Sequence, residues 1–129
     1  MSFSVQQIDH VEVFVRDLDA AAKWYCDVLG LTLIHRWNPE PIFLGVGGTA
    51  LALFLSSGPN RARRTEPSAE SATGWHRVAW RTTKDGFDAA QRHLKDRGIA
   101  FRGPIDHDIA WSIYFTDPDG NPLEITYYL

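Results

Sequence analysis

His10 and Glu124 have side chains suited to metal chemistry, and they fall in different halves of a chain that repeats itself. Residues 8–15, Ile-Asp-His-Val-Glu-Val-Phe-Val, read as a strand leading into an Asp-started helix over 17–29 that stops at Gly30. Residues 76–82 lead in the same way into a helix over 85–97 that stops at Gly98. Laying one half on the other sets His10 opposite Arg77 and Ala52 opposite Glu124, so the matched positions read His, Ala, Arg and Glu. Imidazole and carboxylate groups hold a divalent ion while leaving sites open for substrate oxygens, but two such donors make a weak site. A guanidinium at Arg77 offers another chemistry: it can pair with Glu124 and put fixed positive charge roughly where the ion would be.

The elements that position these residues follow from periodicity. Val11, Val13 and Val15 alternate with His10, Glu12 and Phe14, which predicts an apolar, helix-covered face and a second face of polar and aromatic groups. Leu18, Ala21, Tyr25 and Val28 recur at helical spacing, with Asp17 as N-cap and Gly30 as the left-handed stop. Strands over 31–37, 42–46 and 49–55 complete a βαβββ order, with Gly45, Gly47 and Gly48 as turn material. In the second half Phe87, Ala90 and Leu94 stripe the helix, and strands are expected over 100–102, 109–116 and 122–128. Residues 117–121, Asp-Pro-Asp-Gly-Asn, have the chemistry of a tight hairpin turn. The expectation is one domain of module 1–56, linker 57–74 and module 75–129, the linker being polar and rich in serine and proline.

Strand alternation assigns faces. Leu123, Ile125 and Tyr127 belong to the helix side of the last strand, so Glu124 projects to the other face, and Ala52 occupies its counterpart with Phe54 beside it. After the linker, Val78 and Trp80 form the apolar set; Arg77, Ala79 and Arg81 face with Glu124, and His76 points outward unless a bulge re-aims it. Arg77, Glu12 and Phe54 are thus the candidate ligand-binding side chains. Trp37 and Trp111 border the same faces and, with Phe14 and Phe54, suit an aromatic or otherwise planar small molecule, although core packing or a dimer interface uses the same residues.

The chain's 129 residues allow one compact domain that needs no disulfide, and Cys26, the single cysteine, can form no internal bridge. A reducing, cytoplasmic location is expected, with Cys26 as a small apolar helix residue. A net charge of −3 and one short basic cluster, Arg61, Arg63 and Arg64, argue against nucleic acid as a partner. The N-terminal residues lack an export pattern and the longest apolar run, 50–55, is too short to cross a bilayer, so no membrane association is expected.

The opening Ile8-Asp9-His10-Val11 with its Asp17-Leu18-Asp19 helix, and the closing run from Ile113 through Asp117-Pro118-Asp119-Gly120-Asn121 to Glu124, resemble the vicinal oxygen chelate (VOC) superfamily over essentially the whole chain. That group includes glyoxalase I, fosfomycin-resistance thiol transferases, bleomycin-binding proteins and extradiol dioxygenases. The resemblance implies an α+β fold of two βαβββ modules forming a cupped, partly open mixed sheet with helices outside. It also implies metal ligands at His10 and Glu124. Glyoxalase I carries a further glutamate where this chain has Ala52, so a four-ligand glyoxalase site is not expected. The remaining family histidine falls on Arg77, with His76 one residue away; if His76 turns inward, His10, His76 and Glu124 make the two-histidine, one-carboxylate set. The family's active-site tyrosine matches Tyr114 and its acid-base histidine lies near His107, which makes these the candidate catalytic residues.

Three functions follow. The first is a metal-dependent enzyme, dioxygenase-like or lyase- or transferase-like, acting on a small oxygen-bearing substrate with Fe, Mn, Zn or Ni. The second is a metal-free binding protein like the bleomycin-binding relatives, with an Arg77–Glu124 pair in place of the ion. The third is an interaction module without a working site. The family commonly dimerises, so the expected partners are a small-molecule ligand and a second copy of the chain.

Overall fold

Turn residues divide the chain into short strands, and the computed structural model, which describes residues 3–62 and 74–129, pairs them into two four-stranded sheets. The first half runs β1 (His10–Val15), α1 (Leu18–Leu29), β2 (Thr32–Arg36), β3 (Ile42–Val46), β4 (Thr49–Leu55) and a short α2 (Pro59–Ala62). The second runs β5 (Val78–Arg81), α3 (Lys84–Asp96), β6 (Arg102–Asp106), β7 (Ala110–Thr116) and β8 (Pro122–Tyr128). Sheet order is β1-β4-β3-β2 in one and β5-β8-β7-β6 in the other, so each is a mixed βαβββ unit. Each has one parallel pair, β1 with β4 and β5 with β8, and is otherwise antiparallel. The chain divides into two compact units, Met1–Thr65 and Glu66–Leu129.

In the first unit α1 begins where the Asp17 carboxylate accepts the Ala20 N–H (2.9 Å) and ends where Gly30, at φ 72°, donates to the Cys26 carbonyl (3.1 Å). Its buried stripe of Leu18, Ala21, Tyr25 and Val28 lies against β2, β3 and β4, where Ile42, Leu44, Leu51 and Leu53 are buried. The expectation that α1 covers the valines of β1 therefore holds only at one end: Val15 is fully buried, but Val11 is exposed on the sheet's edge strand. In the second unit the Thr83 hydroxyl caps α3, which packs Phe87 and Leu94 against β8, with the Phe87 and Tyr127 rings 4.9 Å apart.

Three differences from the sequence reading bear on the site and its surroundings. The expected linker begins with α2, anchored by the buried Glu40, whose carboxylate accepts from the Leu55 N–H (2.6 Å) and the Asn60 side chain (3.1 Å); residues 63–73 of that linker lie outside the described residues. β5 starts at Val78, so His76 and Arg77 precede the strand. β6 spans Arg102–Asp106 instead of 100–102, and its register slips between Arg102 and Ile105, where Gly103 sits at φ 109°. A Cβ on Gly103 would stand 2.7 Å from the Ser112 carbonyl oxygen, so the bulge requires glycine there.

Candidate functional site

Strand register lines up one row of side chains across each sheet, on the face away from the helix. In the first unit the row is Glu12, Ala52, Phe43 and His35. In the second it is Ala79, Glu124, Tyr114 and Arg102. Each row holds one carboxylate, one alanine, one aromatic ring and one basic group.

His10, at the start of β1, is half-buried and spends both ring nitrogens on carboxylates. Nδ1 lies 2.8 Å from Asp9 Oδ2 and Nε2 lies 3.0 Å from Glu12 Oε2. The hydrogen bonds to Asp9 and then Glu12, reinforced by the two negative charges, raise the His10 pKa above its ordinary 6.5 against a smaller opposing effect of burial. A carboxylate only accepts, so both bonds are made together when the ring is protonated, and in that form neither nitrogen has a free lone pair. Its other neighbours are aromatic: the Phe43 ring at 4.9 Å, Trp37 at 4.9 Å from Phe43, and His35 at 4.3 Å from Trp37. Phe54 lies one face-matched position beyond Ala52, opposite Phe14, whose ring carries the Arg61 guanidinium at 4.8 Å.

In the second unit Tyr114 is the hub. Its hydroxyl is 2.6 Å from His107 Nε2, in the β6–β7 turn. The guanidinium carbon of Arg77 is 4.5 Å from its ring centroid and that of Arg102 is 4.7 Å, so two permanent cations share one aromatic ring. Arg77 also donates through Nη2 to His76 Nε2 at 2.8 Å. Glu124, opposite Tyr114, is half-buried, and its Oε2 accepts the hydroxyl of the buried Ser112 at 2.7 Å. The expected Arg77–Glu124 pair does not form: among the described residues neither Arg77 nor Arg102 has a carboxylate partner.

These contacts test whether the residues fit a metal. The imidazole lone pairs that would bind one are engaged within their own units, His10 as a double donor to Asp9 and Glu12, and His76 as acceptor from Arg77. Within each unit, among the described residues, no three His, Cys, Asp or Glu side chains gather to hold an ion. His10 belongs to the first unit and His76 to the second, and each ring would have to give up these contacts before offering a lone pair to an ion. Tyr114, His107 and Arg77 come together; Glu12 joins His10; Glu124 stands in the Tyr114 row. Sequence reasoning missed Arg102 and His35, because alternation within one strand does not report the pairing between strands that sets Arg102 beside Tyr114 and His35 beside Phe43.

Comparison with known proteins gives a consistent family. A family model for the Glyoxalase/Bleomycin resistance protein/Dioxygenase superfamily matches residues 7–125. Biphenyl-2,3-diol 1,2-dioxygenase 3 of Rhodococcus globerulus is 31% identical over 92% of this chain, which spans 62% of the dioxygenase's length. Glutathione transferase FosA of Serratia marcescens is 29% identical over 94% of this chain and 80% of its own. Among solved structures, a glyoxalase/bleomycin resistance protein/dioxygenase from Nocardioides superposes with a TM-score of 0.73 at 28% identity, covering 99% of this chain and 87% of that one. No described helix is long and apolar enough to cross a membrane.

Proposed function

The chain belongs to the Glyoxalase/Bleomycin resistance protein/Dioxygenase superfamily, and from that membership we propose that it is a small-molecule-binding protein in which arginine charge takes the part that a metal plays elsewhere. One observation carries this reading: the Arg77 guanidinium lies 4.5 Å from the Tyr114 ring centroid, beside the row that holds Glu124. A permanent cation there discourages a second cation and offers a fork of donors to ligand oxygens. Tyr114 supplies a planar wall and His107 holds its hydroxyl. In the first unit, Glu12 and Phe54 line the corresponding face. We also place the protein in the cytoplasm, on its lone cysteine.

The test is metal analysis of protein purified without chelator or metal-affinity resin. The expected result is no stoichiometric ion, with Arg77→His raising affinity for Mn, Zn or Ni by adding an imidazole and removing the cation. A stoichiometric ion in the wild type, lost in His10→Ala and in Glu124→Ala, would overturn the proposal.

A second reading is favoured by the 2.6 Å His107–Tyr114 hydrogen bond and by the relatives named as a dioxygenase and a transferase. Here His107 moves a proton to or from the Tyr114 hydroxyl in an enzyme whose ion is held by His10, His76 and Glu124. It requires Glu12 to leave His10 and Arg77 to leave His76 before either ring offers a lone pair. The same metal analysis separates the two.

A further inference from the structure

We propose that the ligand of the Tyr114 face is an anion: a planar or aromatic molecule bearing a carboxylate or phosphate group, taken by Arg77 and Arg102 together. The inference rests on the metal-free reading above and adds the ligand's charge. Both guanidinium carbons lie within 5 Å of one ring centroid, at 4.5 and 4.7 Å, yet among the described residues neither side chain pairs with a carboxylate. The chain as a whole carries a net charge of −3, so such pairing was chemically available elsewhere. Two guanidinium groups on one ring concentrate positive charge there, and an oxygen anion accepting from them offsets that charge while satisfying donors that protein carboxylates leave open.

The rest of the face agrees with this charge. Arg81, paired in register with Thr126 at the end of β5, sits 4.3 Å over the Tyr128 ring, also without a carboxylate partner among the described residues. The carboxylate of the row, Glu124, accepts from Ser112, a contact that turns one of its oxygens to the sheet. His107 stands at the end of the Tyr114 hydroxyl, with Nε2 2.6 Å from it. Tyr114 itself is half-buried. Carboxylate and phosphate share the bidentate geometry that a guanidinium reads, and the probes distinguish them.

The experiment titrates the full chain, after chelator treatment, with benzoate, phenyl phosphate and neutral benzamide, following Tyr114 and the arginine Nε–H resonances by NMR. Expected is saturable binding of one or both anions at least tenfold tighter than benzamide, weakened by rising salt. Arg77→Gln combined with Arg102→Gln should lose at least tenfold in anion affinity, while Arg102→Lys keeps part of it; melting temperatures of all variants check that they fold. The preferred anion names the group. Benzamide binding as tightly as the anions, or the double variant binding them unchanged, overturns the proposal. The titrations are repeated with Mn(II) and Zn(II). Anion binding that appears only with metal and still needs both arginines sustains the charge assignment and overturns the metal-free reading; metal-independent binding without anion preference does the reverse.

Discussion

His10 shows how a single side chain can carry two different expectations. Its pKa is raised first by the hydrogen bond to Asp9 and then by that to Glu12. A raised folded-state pKa means that the stabilisation is fully present below 6.5 and is lost as pH rises through the folded value. We therefore expect the His10 ring to titrate above 6.5 by NMR, with Asp9→Asn lowering its midpoint more than Glu12→Gln. The melting temperature should fall across the same pH window, and His10→Gln should remove that part of the fall. A His10 midpoint at or below 6.5 would contradict the double-donor geometry. The partners of His10 were legible in principle, since both lie within two residues of it, but alternation alone says only that Glu12 shares its face. It does not say that the ring would turn to a neighbouring acid in preference to an ion.

Elements were read with uneven success, for identifiable reasons. β3, β4 and β8 match their predicted bounds because alternation is clean and turn residues stand at one or both ends, Gly47 and Gly48 between β3 and β4 and the 117–121 turn before β8. β6 was misplaced because Gly103 and Pro104 interrupt the pattern where the bulge occurs. The bulge is testable. Gly103→Ala sets a Cβ 2.7 Å from the Ser112 carbonyl oxygen at a backbone angle that favours glycine, so we expect a loss of about 1–3 kcal/mol by urea denaturation. Because Arg102 is the neighbouring residue, anion binding should weaken as well. In the β7–β8 turn, the buried Asp117 accepts the backbone N–H groups of Asp119 and Asn121, each at 2.9 Å, and the Asn121 side chain at 2.8 Å. Asp117→Ala should cost about 2–3 kcal/mol, and a change under half of that would show the turn to be held by other means.

At the scale of the molecule, the repeat seen in the sequence became two units of the same topology, each with its own sheet and helix. The fold class was legible because every signal for it is local: strand alternation, an Asp or Thr cap, a glycine stop, a hairpin turn. The site was less so, because it depends on which of several neighbours a polar group chooses. If charge stands in for metal, removing metal should change nothing. Dialysis against a chelator is expected to leave the melting temperature within a degree or so and anion binding unaltered. A drop of several degrees, restored by one divalent ion, would show that metal contributes to the folded state and would return His10, His76 and Glu124 to the role of ligands.

The two register rows carry one more implication. Glu12, Ala52, Phe43 and His35 in the first sheet correspond to Ala79, Glu124, Tyr114 and Arg102 in the second, so the carboxylate and the alanine have traded strands while the ring and the basic group kept theirs. The halves differ by permutation more than by loss. A position-by-position inventory would score Ala52 as a vanished acid and the first half as inert, whereas the acid has moved one strand over and bonds to His10. Redesign of either face should therefore treat the row as the unit of exchange, transplanting all four side chains at once.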